Sequence, residues 1–140
     1  MANLCSNRVT IIGLDDDEKE AFTTLMEEGK FFDFFVTAPD FSHDPTNWEL
    51  IQWRNSNWGS KWDIGDAYIT DGPGTQGMTV HYDSAWSPHI EGFAHLCAFY
   101  PHLRVTIEYS ESGAGFYGTA FISSDGVSDN CKEMYGNACA

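Results

Sequence analysis

The chain has 140 residues, the size of one ordinary domain, and can bury about two-thirds of the surface its unfolded form exposes. Its 21 acidic residues stand against 7 basic ones, a formal net charge of -14. That balance excludes the basic footprint that releases counterions from phosphates, so general electrostatic binding to DNA, RNA or anionic lipid is disfavoured, while a basic protein surface is attracted over about a Debye length.

Arg8-Val9-Thr10-Ile11-Ile12 alternates and predicts a first strand with Val9 and Ile11 inward, stopped by Gly13. Asp15-Asp16-Asp17-Glu18 then offers an N-cap and an acidic first turn, and Phe22, Leu25 and Met26 recur at helical spacing until Gly29. The outer face of this helix carries Asp15, Asp16, Asp17, Glu18, Glu20, Glu27 and Glu28 against the single Lys19. Each of these carboxylates by itself is ordinary for a solvated helix face; together they concentrate the negative field.

Residues 31–63 form an aromatic insertion. Phe31 to Val36 is expected to be irregular, with its phenylalanines packed on the core, and Thr46 or Asn47 to cap a short helix through Trp48, Leu50, Ile51 and Arg54. The insertion ends in Asn57-Trp58-Gly59-Ser60-Lys61-Trp62-Asp63, read as a packed corner in which two indoles are buried and Lys61 with Asp63 hold the loop. Asp83-Ser84-Ala85-Trp86-Ser87-Pro88 is expected to meet it.

Ala67 to Thr70 and Met78 to Tyr82 flank a glycine-rich turn and read as a hairpin; with a strand following, the glycines are no phosphate loop. Ser87-Pro88 opens a second helix with Ile90, Phe93, Ala94 and Cys97 as its core stripe. Arg104 to Ser110 and Phe116 to Ile122 form a last hairpin, after which the pattern fades. The predicted fold is α+β: a ferredoxin-like split β-α-β with an antiparallel sheet, two helices on one face, and an extra C-terminal strand. One domain covers residues 1–123, and 124–140 are expected to be a weakly ordered or capping tail.

No cofactor or metal is expected. Cys5, Cys97, Cys131 and Cys139 lack CxxC spacing, although Cys131 and Cys139 could pair across a short loop, and without an apolar leader or spanning run the chain reads as cytosolic. His43, His81, His89, His95 and His102 fall in no metal or triad spacing; surface or half-buried histidines explain them better than a zinc site assembled from His81, His89 and Asp83. No serine has an evident base and orienting acid, so no catalytic residue is assigned. The open sheet face should show Thr10, His81, Thr106, Glu108, Tyr117 and Thr119, a weak platform for base stacking.

The opening Met1 to Asn7, the Asn57–Asp63 stretch, Ala85-Trp86-Ser87-Pro88, and Tyr109 through Glu111 to Phe116-Tyr117-Gly118 together resemble the YubB ferredoxin-like domain family, small proteins of phages, plasmids and their bacterial hosts. Leu4, Ser60 and His89 stand where that family usually has Trp, Thr and a second Pro. The resemblance implies a fold and a mobile-element setting, and it transfers no catalytic residue. The functional expectation is a non-enzymatic acidic protein of a phage or plasmid that binds and inhibits a host nucleic-acid-handling defence complex. It would act as an anti-CRISPR or anti-restriction factor or DNA mimic, through Asp15, Asp16, Asp17, Glu18, Glu20, Glu27 and Glu28, against a host protein or ribonucleoprotein with a basic groove. The alternatives are a small-ligand binder or enzyme using a pocket around Trp58, Trp62, Trp86 and Tyr109, or a structural module that forms a homodimer through its last strand.

Overall fold

Alternation of side chains builds the centre of the molecule. In β1 (Leu4–Ile12) Cys5, Asn7, Val9 and Ile11 are buried while Leu4, Ser6 and Arg8 point outward, the period-two pattern of a strand covered on one face. The structure is a computed structural model and describes residues 3–39 and 47–134. The remaining elements are α1 (Asp16–Glu27), α2 (Phe31–Phe35), α3 (Asn47–Asn57), β2 (Tyr68–Asp71), β3 (Gly77–Ala85), α4 (Ile90–Phe99), β4 (Arg104–Glu111), β5 (Phe116–Ser123) and β6 (Gly126–Glu133).

The six-stranded sheet has the order β2-β3-β1-β4-β5-β6, with every neighbouring pair antiparallel. Its first four strands, crossed over by α1 and α4, are the split β-α-β expected of a ferredoxin-like fold, and the meander β4-β5-β6 extends the sheet beyond it. Val9 sits opposite Val80 on one side and Ile107 on the other, so the inward residues of three strands share one row of the core. Above them pack Phe22 and Met26 of α1 and Phe93, Leu96 and Cys97 of α4. Among the described residues no helix is long and apolar enough to cross a membrane.

Three elements depart from the sequence-based expectation. Phe31 to Phe35 is helical rather than irregular, and its N-terminal N–H groups are satisfied from a distance: Asp63 accepts from Phe32 N at 3.0 Å and from Asp33 N at 2.9 Å. The second helix starts at Ile90 rather than at Ser87-Pro88, with the Gly92 N–H donating to the Trp58 carbonyl at 3.1 Å. Eight residues of the expected tail, Gly126–Glu133, are the strand β6, joined to β5 across Ser124-Asp125 and in register from Ser123 opposite Gly126 to Phe116 opposite Glu133. Its side chains are almost all exposed, which removes the alternation a sequence can display; backbone pairing alone places it. Thr46, Cys139 and residues 135–140 lie outside the described residues, and with them the expected Thr46 cap and the Cys131–Cys139 pairing.

Candidate functional site

The corner at 57–63 and the end of β3 do meet, through backbone-directed bonds. Ser60 Oγ donates to the Ala85 carbonyl at 3.1 Å and accepts from the Ala85 N–H at 3.0 Å, and Ser87 Oγ donates to the Gly59 carbonyl at 2.5 Å. Gly59 has φ +92, and a Cβ there would lie 2.5 Å from Glu91 Oε2 and 2.7 Å from the Pro88 carbonyl, so both the backbone conformation and the close approach require glycine. Trp58 is buried, donates its indole N–H to the Val36 carbonyl at 2.8 Å, and carries the Arg54 guanidinium 4.9 Å above its ring.

Lys61 and Asp63 do not hold the loop as a pair. Lys61 lies over the Trp62 ring at 5.7 Å, while the Asp63 carboxylate takes the N–H groups of Phe32, Asp33 and Ile64. Burial nevertheless pushes the Asp63 carboxyl above its ordinary range, outweighing the downward pull of those three donors. Trp62 is half-exposed rather than buried.

Beneath the corner lies a polar layer that motif reading missed. His89 is fully buried; its Nε2 donates to the Trp62 carbonyl at 2.6 Å and its Nδ1 accepts from the Tyr82 hydroxyl at 2.8 Å. Burial lowers this imidazole to about 4, so it is neutral, and with both ring nitrogens engaged it is no metal ligand. Asn7 Nδ2 donates to Ser84 Oγ at 2.9 Å and to the Cys5 carbonyl at 3.0 Å, and Ser84 Oγ donates to the Ser87 carbonyl at 2.7 Å. Glu111, also buried, accepts from Gly113 N and Ala114 N, each at 2.7 Å. Burial pushes the Cys5 thiol up to about 12, far from the thiolate a nucleophile needs. Buried and hydrogen-bonded, this layer fixes the corner. Among the described residues no set of three His, Cys, Asp or Glu side chains is placed to hold a metal ion.

The four aromatic residues expected to line one pocket are divided. Trp58 is in the core, Trp62 and Tyr109 border an open concavity of about 910 Å³ on the bare face of the sheet, and Trp86 with Tyr109 borders a second of about 510 Å³ between α4 and β6. Within the second, the Tyr109 hydroxyl donates to Asp129 Oδ1 at 2.5 Å, and burial, reinforced by that carboxylate, raises the phenol above its ordinary range. The larger concavity holds the Arg8–Glu108 ion pair at 3.5 Å, together with His81, Asp83 and Asp66. The bare face is more aromatic than expected: Tyr68, opposite His81 at one side of the sheet, and Phe121, opposite Thr106, are exposed on it as Tyr117 is.

The acidic helix forms as the sequence predicts. Asp15 caps α1 with a complete capping box: Glu18 N donates to Asp15 Oδ1 at 2.7 Å and Asp15 N to Glu18 Oε1 at 3.0 Å. Glu18 also meets His102 Nε2 at 3.0 Å, so Asp15 and Glu18 serve the fold. Asp16, Asp17, Glu20, Glu27 and Glu28 are exposed, and at 3.6 residues per turn they project within about 120° of one another, away from Phe22 and Met26. Among the described residues no Lys, Arg or His pairs with any of these five; Lys19 instead donates to the Thr75 carbonyl at 3.0 Å.

Comparison with known proteins places this architecture. The family model for the ferredoxin-like domain in Api92-like protein matches residues 57–139, a span that holds the corner, α4 and β2 to β6 but not α1. The crystal structure of protein api92 from Yersinia pseudotuberculosis has the same fold, with a TM-score of 0.59, 11 % identity and 100 % of each chain covered. At that identity the likeness speaks for the fold alone. Among curated proteins none matches the chain.

Proposed function

The chain belongs to the family of ferredoxin-like domains in Api92-like proteins, and from that premise we propose that it is a non-enzymatic binding module whose acidic helix occupies the basic, nucleic-acid-binding surface of a host protein. The observation that carries this reading is the set Asp16, Asp17, Glu20, Glu27 and Glu28, which share one exposed face and are left unneutralised by any described cation. Carboxylates spaced along a helix present charge as a phosphate backbone does, and a net charge of -14 steers the molecule toward a cationic groove. In this reading the protein belongs to a YubB-like phage or plasmid setting, acts in the bacterial cytoplasm, and inhibits a defence complex of the CRISPR or restriction type.

The test is capture from bacterial host lysate at two salt concentrations, with the wild type and with a variant in which all five carboxylates are reversed to Lys. The expected result is a nucleic-acid-binding protein retained at low salt, released at high salt, and lost with the variant. A variant that retains the same protein with the same salt dependence removes the mechanism.

A further inference from the structure

The aromatic cluster of the core continues to the surface beside the acidic helix. Phe22 packs edge-on against Phe35 at 5.3 Å and Tyr100 at 6.0 Å, Phe35 against Phe34 at 5.0 Å, and Phe34 itself is 65 % exposed. Between α1 and α2 these rings floor a groove of about 620 Å³, with Asp17 and Glu20 on its rim. That volume suits one large side chain with part of its backbone. Lys30, at the start of α2, does not line it. An exposed phenylalanine at the end of a continuous aromatic stack, under carboxylates that no described cation neutralises, combines the two features of a surface that takes a cationic, amphipathic segment.

We propose that this groove is a docking site for a Lys- and Arg-rich segment of a partner protein carrying one aromatic or large aliphatic anchor. The anchor seats against Phe34, Phe35 and Tyr100, and the flanking cations reach Asp17 and Glu20. A second copy of the chain is disfavoured as occupant, because two molecules of net charge -14 would bring like-charged rims together. The proposal rests on the acidic-helix reading and adds the apolar half of the recognition.

Two synthetic helical peptides of Lys and Ala test it, one with a central Trp and one with Ala in its place, titrated by fluorescence anisotropy at low and moderate salt. The Trp peptide should bind about tenfold more tightly than the Ala peptide. Phe34→Ser, at an exposed position and verified as folded by its thermal melt, should abolish that advantage while leaving the salt-dependent binding of the Ala peptide unchanged. Asp17→Lys with Glu20→Lys should weaken both peptides. Equal binding of the two peptides, or an advantage that survives Phe34→Ser, overturns the groove and leaves the acidic-helix reading standing. Failure of both peptides to bind in a salt-dependent way overturns both. A wild-type dimer in sedimentation that Phe34→Ser converts to a monomer also overturns the proposal, by making self-association the role of the groove.

Discussion

Ser60 and Ala85 form a reciprocal pair: one hydroxyl donates to the carbonyl of the strand-end residue and accepts from its N–H, at 3.1 and 3.0 Å. Both residues are buried, so each bond replaces a backbone contact with water that folding has removed. Ser60→Ala should therefore destabilise the protein by about 2–4 kcal/mol, since it strands one donor and one acceptor in the interior. Urea unfolding measures this directly. A loss below about 0.5 kcal/mol would show that the corner does not depend on the hydroxyl.

His89 makes stability depend on pH in a defined window. The unfolded chain binds a proton on this ring near 6.5, whereas burial holds the folded imidazole at about 4. Its contribution is thus fully present above about pH 6.5 and is lost as the pH falls toward 4, at about 1.4 kcal/mol per unit and about 3 kcal/mol in all. His89→Phe keeps a ring against Phe32, 4.6 Å away, and cannot titrate. It should be less stable at neutral pH, where Tyr82 and the Trp62 carbonyl lose their partner, and should show a shallower decline between pH 6.5 and 4. Parallel curves for the two proteins would refute the assignment.

The Tyr109 hydroxyl ties the interior of β4 to Asp129 on the outermost strand, across a Gly118 whose Cβ would sit 2.6 Å from that oxygen. Tyr109→Phe should cost only about 1 kcal/mol globally but act locally. Amide hydrogen exchange in β6 should quicken while that of β1 stays near the wild-type rate. Uniform acceleration throughout the sheet would mean that β6 does not open as a separate unit.

What could be read from the residues follows the range of the forces involved. The strand pattern of β1 and β4 and the N-cap with acidic first turn at Asp15–Glu18 are local, and both were legible, while the reciprocal bond that makes the cap a capping box came from the structure. The N-terminus of α2 is satisfied by Asp63, thirty residues further along, and no window around Phe31 contains that signal. The strand β6 buries too little to print an alternation. Asn7 and Ser84 read as ordinary polar residues because they become neighbours only after β1 and β3 align, whereas Glu111 bonds the N–H groups of Gly113 and Ala114 within its own turn and carries no motif that marks it as buried. Of the candidate site, the acidic helix was visible and the aromatic groove beside it was not, since Tyr100 reaches Phe22 and Phe35 only in three dimensions.

The first strand made is a central one. β1 lies between β3 and β4, and its partners emerge only after the insertion and the glycine-rich hairpin have been synthesised. Closing such long loops costs chain entropy before any pairing rewards it, and Val9 and Ile11 gain strand partners first from Val80 and Met78 of β3 and only then from Ile107 and Val105 of β4. A sheet whose central strand depends on such distant partners folds more slowly than one built from local pairings, and an acidic excess in the intervening segments favours solubility of the unfinished chain.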